Sequence, residues 1–168
     1  LLVVGPDPKA LDVAEAARCP VRVVGDASGA FCRVDGPVDA AVLTLHDGRA
    51  IPLDLTVPGR HNQTNAACAV ALADWCGVDP QVAVERIRSF TGVGRRFEYR
   101  GAVGGVTIVD DYAHHPAEID ATLAAARSRH AGRIVVIFQP HLYSRTTALV
   151  AEFGRALAAA DRVVVTDI

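Results

Sequence analysis

After residue 95 the sequence alternates between short apolar runs and amphipathic stretches, and this alternation constrains the fold more than any other feature. Short runs rich in β-branched residues predict strands, and apolar residues at helical spacing predict helices. The predicted strands lie near 96–100, 105–111, 133–139 and 162–167, and the predicted helices near 117–130 and 146–160. Strands that alternate with helices of this length indicate βαβ units, and therefore an α/β fold with a mostly parallel sheet.

The first half of the chain is also predicted to mix strands and helices. The predicted strands are 1–4, 21–24, 30–35, 40–46 and 50–57, with a turn at 5–8, a hairpin turn at 46–48, and helices at 9–18, at 62–76 and from Pro80 onward. Residues 62–76 are apolar on nearly every face, which predicts a buried helix. Asp79 is the expected N-cap of the next helix, whose apolar stripe is Ala83, Ile87 and Phe90. The break at 91–94 predicts a boundary between a domain at 1–92 and another at 93–168.

The composition is that of a globular protein. Of the 168 residues, 51% are hydrophobic and 21% are charged, and the net charge of −2 gives no electrostatic argument for nucleic-acid binding. No apolar run approaches the length of a membrane span. The four cysteines form no CxxC pair, which predicts reduced, buried thiols in a cytosolic protein. The sequence contains no methionine, which favours a piece of a longer protein.

Ionisable residues concentrate in the segment DDYAHHP, residues 110–116, directly after a predicted strand. Three interpretations of this segment are open: a metal site, a general acid/base pair and a substrate clamp. Neighbouring side chains diverge on a regular backbone, so a metal would need ligands from elsewhere. Asp111, at the strand end, could accept hydrogen bonds from two ribose hydroxyls, and Asp110 is expected to bond backbone or to orient a neighbour. Pro116 is expected to begin the next helix. Glu118 lies in its first turn, where a negative charge interacts favourably with the helix dipole.

A second polar segment, QPHLYSRT at residues 139–146, follows the next predicted strand. Ligands of open α/β sheets bind beyond the carboxyl ends of strands, so both segments are candidate site segments. Ser144 is expected to be the N-cap of the last helix. The position of Arg145 at the carboxyl end of a strand favours an anion-binding role over that of a solvated surface charge. The sequence lacks the GxSxG pattern of serine hydrolases and the GxxxxGK[ST] pattern of phosphate loops.

A third segment, residues 58–65, opens the predicted buried helix with the sequence PGRHNQTN. Asn62 and Asn65 are three residues apart and therefore share one helix face. A carboxamide presents a donor beside an acceptor, which matches the hydrogen-bonding edge of adenine. The alternative is that one asparagine caps the helix.

Four motifs carry a family resemblance: VPGRHNQTNAACAVAL, FTGVGRRFEYRG, VDDYAHHPAEIDATLAAAR and IFQPHLYSRT. In this order, over residues 58–168, they resemble the Mur ligase family. The resemblance implies that 1–92 is the end of a central ATP-binding domain. It implies that 93–168 is the start of a Rossmann-like C-terminal ligase domain.

The combination of DDYAHHP at residues 110–116 with QPHLYSRT at residues 139–146 most resembles the member that joins L-alanine to the lactate carboxylate of UDP-N-acetylmuramate, in peptidoglycan biosynthesis. That resemblance implies a cytoplasmic enzyme that uses ATP and forms an acyl phosphate, with Mg²⁺ ligands outside this chain. It implies small-molecule substrates, without nucleic acid or membrane partners. This chain alone is then expected to be inactive. The alternatives are a murein tripeptide ligase of the same family, a nucleotide-binding module without activity, and a His/Asp metal hydrolase.

The resemblance also implies residue roles. The implied nucleotide-binding residues are His61, Asn62, Asn65, Arg96 and Asp111; the substrate-binding residues are Tyr112 and Arg145; the catalytic residues are His114 and His141; no metal ligand is implied. Leu142 departs from the pattern, because many relatives carry a basic residue there, so the carboxylate of the amino acid is expected to depend more on Arg145.

Overall fold

The computed structural model describes residues 2–4 and 8–168, which fall into two compact units, Leu1–Thr91 and Gly92–Ile168. The predicted positions of Leu1 and of the turn residues 5–7 lie outside the described residues. The strands are β1 Leu2–Val4, β2 Arg22–Val24, β3 Cys32–Asp35, β4 Val42–Leu45, β5 Ala50–Pro52, β6 Glu98–Val103, β7 Val106–Asp110, β8 Val135–Phe138 and β9 Arg162–Val165. The helices are α1 Pro8–Glu15, α2 Arg60–Trp75, α3 Pro80–Arg88, α4 Pro116–Arg129, α5 Tyr143–Ala148 and α6 Val150–Leu157, with a 3₁₀ turn at Val38–Ala40.

The first unit contains a five-stranded sheet in the order β1-β2-β3-β4-β5. The first three strands pair in parallel, and the last three pair antiparallel. The predicted turn between β4 and β5 is confirmed: the amide of Leu45 donates to the carbonyl of Arg49, and Gly48 has φ 86°. A left-handed φ of this kind favours glycine, which explains its place in the turn.

Helices α2 and α3 contribute the rest of the core of this unit. Asp79 caps α3 as predicted, because its carboxylate accepts a hydrogen bond from the amide of Gln81 at 2.8 Å. The predicted burial of α2 holds for only part of its surface, since Ala67 and Val70 are buried but Leu72 remains 53% exposed. The predicted stripe of α3 holds for the buried Ala83 and for Ile87, which packs against the core, whereas Phe90 lies beyond the helix end and is exposed. The alanine-rich sequence makes α2 apolar on nearly every face, but the sheet covers only one face of the helix.

The second unit pairs its strands in two different ways. Strands β6 and β7 form an antiparallel hairpin with a register shift between Tyr99 and Gly101, whereas β8 and β9 are parallel. The parallel prediction is therefore confirmed for β8 and β9 and wrong for the first pair. Gly104 and Gly105, both with positive φ, form a tight two-residue turn. So short a connection can join two consecutive strands only in antiparallel pairing.

The core of the second unit lies between the β8–β9 pair and helices α4 and α6. Its buried members are Ile119, Leu123, Phe138, Phe153, Ala156 and Leu157. The single helix expected at 146–160 is two helices, since Leu149 leaves the helical conformation with φ −119° and ψ 23°. Leu149 packs against the core, and the β-branched pair at 146–147 is a weak helix former.

All four cysteines are free thiols, as predicted. The expectation that they are buried holds only for Cys32, because Cys19 and Cys76 are exposed and Cys68 is half-buried. Burial raises the pKa of the Cys32 thiol to about 12. Among the described helices, none has the length and apolar character needed to cross a membrane.

Candidate functional site

The segments after β7 and β8 meet in the second unit. The ring of Tyr112 lies 5.1 Å from the ring of His114 and 6.5 Å from that of His141, measured between centroids, and the two histidine rings are 6.3 Å apart. Arg145, half-buried in α5, donates a hydrogen bond to the carbonyl oxygen of His114 at 3.3 Å. The structure thus brings together the residues for which a substrate or catalytic role was predicted.

The imidazole of His114 is held in one tautomer. Its Nδ1 lies 2.8 Å from the carbonyl oxygen of Tyr112. A carbonyl oxygen can only accept, so Nδ1 carries the proton and the neutral ring keeps a lone pair on Nε2. The side chain is 29% exposed. His114 can therefore accept a proton or a hydrogen bond through Nε2 without losing its backbone anchor.

Arg96 sits in a loop with unusual backbone geometry. Its neighbours Arg95 and Phe97 have φ values of 58° and 49°, which are uncommon for residues other than glycine. The amide of Arg95 donates to the carboxylate of Glu98, and the amide of Phe97 donates to Oδ2 of Asp111, both at 2.8 Å. These bonds hold a conformation that costs free energy, which is a pattern typical of functional sites.

The two adjacent carboxylates, Asp110 and Asp111, have different environments. Asp111 accepts backbone hydrogen bonds through both oxygens, from the amides of Phe97 and Ala113. Asp110 instead lies 3.7 Å from Nε of Arg95. Of the two roles expected for Asp110, this ion pair with Arg95 fits the orientation of a neighbouring side chain rather than a bond to backbone. Each oxygen of Asp111 retains a second lone pair, so its predicted ribose role stays a prediction.

The start of α5 also differs from expectation. Leu142, not Ser144, is the N-cap, and it has φ 73°. This places Ser144 within the first turn of α5, where Arg145 follows it. Leu142 is 48% exposed. An apolar side chain therefore stands in a strained backbone position directly beside His141 in the sequence.

In the first unit, the candidate adenine residues lie in the first turns of α2. Gly59 is the N-cap, so the alternative that an asparagine caps this helix is wrong. Asn62 is half-buried and donates one amide hydrogen to the carbonyl of Pro58 at 2.6 Å, which leaves its oxygen and the second hydrogen for another partner. Asn65 is exposed and His61 is half-buried. Their predicted nucleotide roles stay predictions.

Sequence reasoning missed most of what Glu118 does. Its Oε2 accepts hydrogen bonds from the amides of His114 and His115 at 2.9 and 3.1 Å, and its Oε1 lies 3.4 Å from the guanidinium of Arg96. Desolvation by itself would raise the pKa of Glu118. The hydrogen bond from the amide of His114 and the guanidinium of Arg96 outweigh it, so the pKa lies below its usual range. The spacing of Glu118 three residues after the N-cap His115 was the signal that could have revealed the amide contacts.

Comparison with known proteins adds a family to this geometry. Residues 95–168 match the family model described as Mur ligase, glutamate ligase domain. The UDP-N-acetylmuramate–L-alanine ligase of Thermobifida fusca is 48% identical over an alignment of 179 positions, which covers 96% of this chain and 38% of that protein. The chain belongs to the Mur ligase family. It spans less than two thirds of the length of the relatives it matches.

Solved structures agree with this membership. The UDP-N-acetylmuramate–alanine ligase of Thermotoga maritima superposes with a TM-score of 0.71 at 32% identity, over 88% of this Mur ligase chain and 34% of that one. The Acinetobacter baumannii protein MurF gives a TM-score of 0.80 at 22% identity, over 98% of this chain and 38% of that one, a likeness of fold alone. The predicted mixed α/β class of this Mur ligase chain is therefore confirmed.

Proposed function

We propose that this Mur ligase chain forms part of an ATP-dependent amide ligase that joins L-alanine to the lactate carboxylate of UDP-N-acetylmuramate. The single observation that carries the proposal is the meeting of Tyr112, His114 and His141 with the guanidinium of Arg145 in the second unit. The names of the relatives supply the substrates. On this proposal, the first unit belongs to a central ATP-binding domain and the second to a C-terminal ligase domain.

Arg145 is the group proposed to bind the carboxylate of the amino acid. A guanidinium offers five N–H donors, and one bond to the carbonyl of His114 leaves the others free for an anion. The bond also fixes the guanidinium close to the three aromatic rings. A bound amino acid would then have its carboxylate at Arg145 and its amine near the imidazoles.

His114 is proposed to assist the attacking amine. An ammonium group has no lone pair, so L-alanine must lose a proton before its nitrogen can attack a carbonyl carbon. The free lone pair on Nε2 of His114 is suited to accept that proton, because Nδ1 is already committed to the carbonyl of Tyr112. His141, 6.3 Å away between ring centroids, is proposed to hold the amine or to act as a second acceptor.

ATP would supply the phosphoryl group that turns the lactate carboxylate into an acyl phosphate. Arg96 is proposed to bind its phosphates. The ion pair of Arg96 with Glu118 is more than one third exposed on average, and exposed pairs contribute only about 0–1 kcal/mol, so a phosphate can compete for the guanidinium. His61, Asn62 and Asn65 are proposed to bind adenine, and Asp111 to bind ribose.

Magnesium is not assigned to any residue of this chain. Among residues 2–4 and 8–168, no group of three His, Cys, Asp or Glu side chains has the geometry to hold a metal ion. The ligands of Mg²⁺ are therefore proposed to lie outside this chain.

An isotope experiment tests the reaction class and the substrates together. UDP-N-acetylmuramate labelled with ¹⁸O in its lactate carboxylate is incubated with ATP, L-alanine and the full-length enzyme. An acyl phosphate intermediate must transfer one labelled oxygen to the released phosphate, and mass spectrometry detects it there and in the amide product. A parallel reaction with murein tripeptide in place of L-alanine tests the alternative ligase. Release of unlabelled phosphate would contradict the proposal. So would an amide product that forms with the tripeptide but not with L-alanine.

A further inference from the structure

Glu118 contacts four groups, which are two backbone amides and two side chains. Through Oε2 it accepts hydrogen bonds from the backbone amides of His114 and His115. The same oxygen lies 3.5 Å from Nδ1 of His114, and Oε1 lies 3.4 Å from Nη1 of Arg96. One carboxylate therefore touches the residue proposed to face the amine and the residue proposed to face the nucleotide phosphates.

Helix capping accounts for only part of this arrangement. A glutamate at the third position of a helix commonly accepts the amide of the N-cap residue, and Glu118 does so with His115. Capping does not require the amide of His114, which precedes the cap, or an arginine that lies 22 residues earlier in the chain. Capping also requires only an acceptor oxygen, whereas the contacts with Arg96 and with the imidazole depend on negative charge.

The charge of Glu118 bears directly on the tautomer of His114. A carboxylate 3.5 Å from Nδ1 favours the proton on that nitrogen, as does the carbonyl of Tyr112 at 2.8 Å. Both interactions keep the lone pair on Nε2. The low pKa of Glu118 means that the carboxylate is ionised at neutral pH.

We propose that Glu118 is a positioning residue that holds the Nε2 lone pair of His114 ready for the amine and holds the guanidinium of Arg96 in place for the nucleotide phosphates. The inference rests on the proposed function. In this role Glu118 contacts no substrate, and it acts through His114 and Arg96.

The test uses variants that separate charge from capping. Glu118→Gln keeps an acceptor oxygen for the amides of His114 and His115 but removes the charge, whereas Glu118→Ala removes both. The matched control is Glu152→Gln, because Glu152 also lies in the first turn of a helix and pairs with an arginine, Arg155, at 3.5 Å. All variants are made in the full-length enzyme, and thermal unfolding establishes that Glu118→Gln folds like the wild type.

The first readout is the ¹⁵N NMR signature of His114 in histidine-labelled enzyme. We expect the wild type and Glu152→Gln to show Nδ1 protonated and Nε2 unprotonated. In Glu118→Gln only the carbonyl of Tyr112 still favours that tautomer, so we expect a measurable fraction of the form protonated at Nε2. The second readout is kinetic. Loss of hydrogen bonding to a charged group should lower kcat/KM for L-alanine about tenfold in Glu118→Gln. The combined Glu118→Gln and Arg96→Ala variant should raise the KM for ATP by less than the product of the single effects.

An unchanged His114 signal together with kinetics within twofold of the wild type in Glu118→Gln would overturn the inference and leave the proposed function intact. Absence of wild-type turnover would contradict the proposed function. The NMR signal would still decide the inference in that case, because it is measured without substrate.

Discussion

The guanidinium of Arg145 donates a hydrogen bond to the carbonyl oxygen of His114 over 3.3 Å, although the two residues are 31 positions apart in the sequence. The bond joins the segment after β7 to helix α5, which follows β8. It uses only one of the five donors of the guanidinium. The remaining donors and the nearby imidazoles form the arrangement on which the proposed amino-acid site depends.

Replacement of Arg145 tests its proposed contact with the substrate carboxylate. Truncating one partner of a buried charge pair costs about 2–5 kcal/mol, so we expect Arg145→Ala to raise the KM for L-alanine on the order of 100-fold. The KM for ATP should change far less. Steady-state kinetics of the full-length enzyme, with each substrate varied in turn, measures both. Arg155→Ala, at an exposed arginine of α6, is the control. An unchanged KM for L-alanine would show that Arg145 does not bind the substrate.

Leu142 offers a second test of the same contact. Relatives with a basic residue at this position would share the carboxylate between two cations, whereas Leu142 contributes none. We expect Leu142→Arg to recover part of the affinity for L-alanine lost in Arg145→Ala. Leucine and arginine carry a similar penalty at the observed φ of 73°, so the backbone should tolerate the change. Kinetics of the double variant beside both single variants gives the answer, and failure of any recovery would place residue 142 away from the carboxylate.

Asn62 tests the proposed adenine contact in the first unit. Loss of a bidentate contact with adenine should weaken ATP binding by about 1–3 kcal/mol in Asn62→Ala, with UDP-N-acetylmuramate binding nearly unchanged. Thr64→Ala is a matched control, because Thr64 bonds the carbonyl of Arg60 four residues earlier, as Asn62 bonds that of Pro58. Calorimetry of both ligands distinguishes the roles. Equal losses for ATP and the UDP-sugar would make Asn62 a structural residue.

Asp161 makes the stability of the second unit depend on pH. The amide of Ile134 and the guanidinium of Arg127 donate to its carboxylate and hold its pKa below the usual range. A carboxyl whose folded pKa is depressed stabilises the fold fully above its unfolded pKa of about 3.9, and this contribution is lost as the pH falls through the lower folded pKa.

We therefore expect Asp161→Asn to lower the unfolding temperature at neutral pH, and we expect the difference from the wild type to shrink in acid. Thermal unfolding between neutral pH and pH 3 measures this, with Asp120→Asn, an exposed residue of α4, as the control. A difference that stays constant with pH would contradict the assignment.

The cysteines should differ widely in reactivity. Cys19 and Cys76 are exposed, whereas Cys32 is 2% exposed and burial raises its pKa to about 12. The thiolate is the reactive form, so a thiol reagent at pH 8 should modify the exposed pair first and Cys32 only on unfolding. Peptide mapping by mass spectrometry measures the order. Modification of Cys32 at the rate of Cys76 would mean that the first unit opens readily.

The sequence by itself determined the local structure and the family of this protein. Apolar spacing predicted α4, and Asp79 beside Pro80 predicted the start of α3, because capping and periodicity are properties of a few adjacent residues. The place of Arg145 after a predicted strand was enough to nominate it for anion binding, whereas the role of His114 came from the resemblance of its motif to the family.

Tertiary structure decided which of these residues meet and which partners they take. Sequence patterns did not reveal that Asp111 bonds backbone amides from two segments, because one donor, the amide of Phe97, lies 14 residues away. The break of the last helix at Leu149 and the exposed face of α2 were also decided by packing between elements distant in sequence. The antiparallel pairing of β6 and β7 instead follows from the tight turn at Gly104 and Gly105. Periodicity reports which side of a helix is apolar, but only the folded chain determines what covers it.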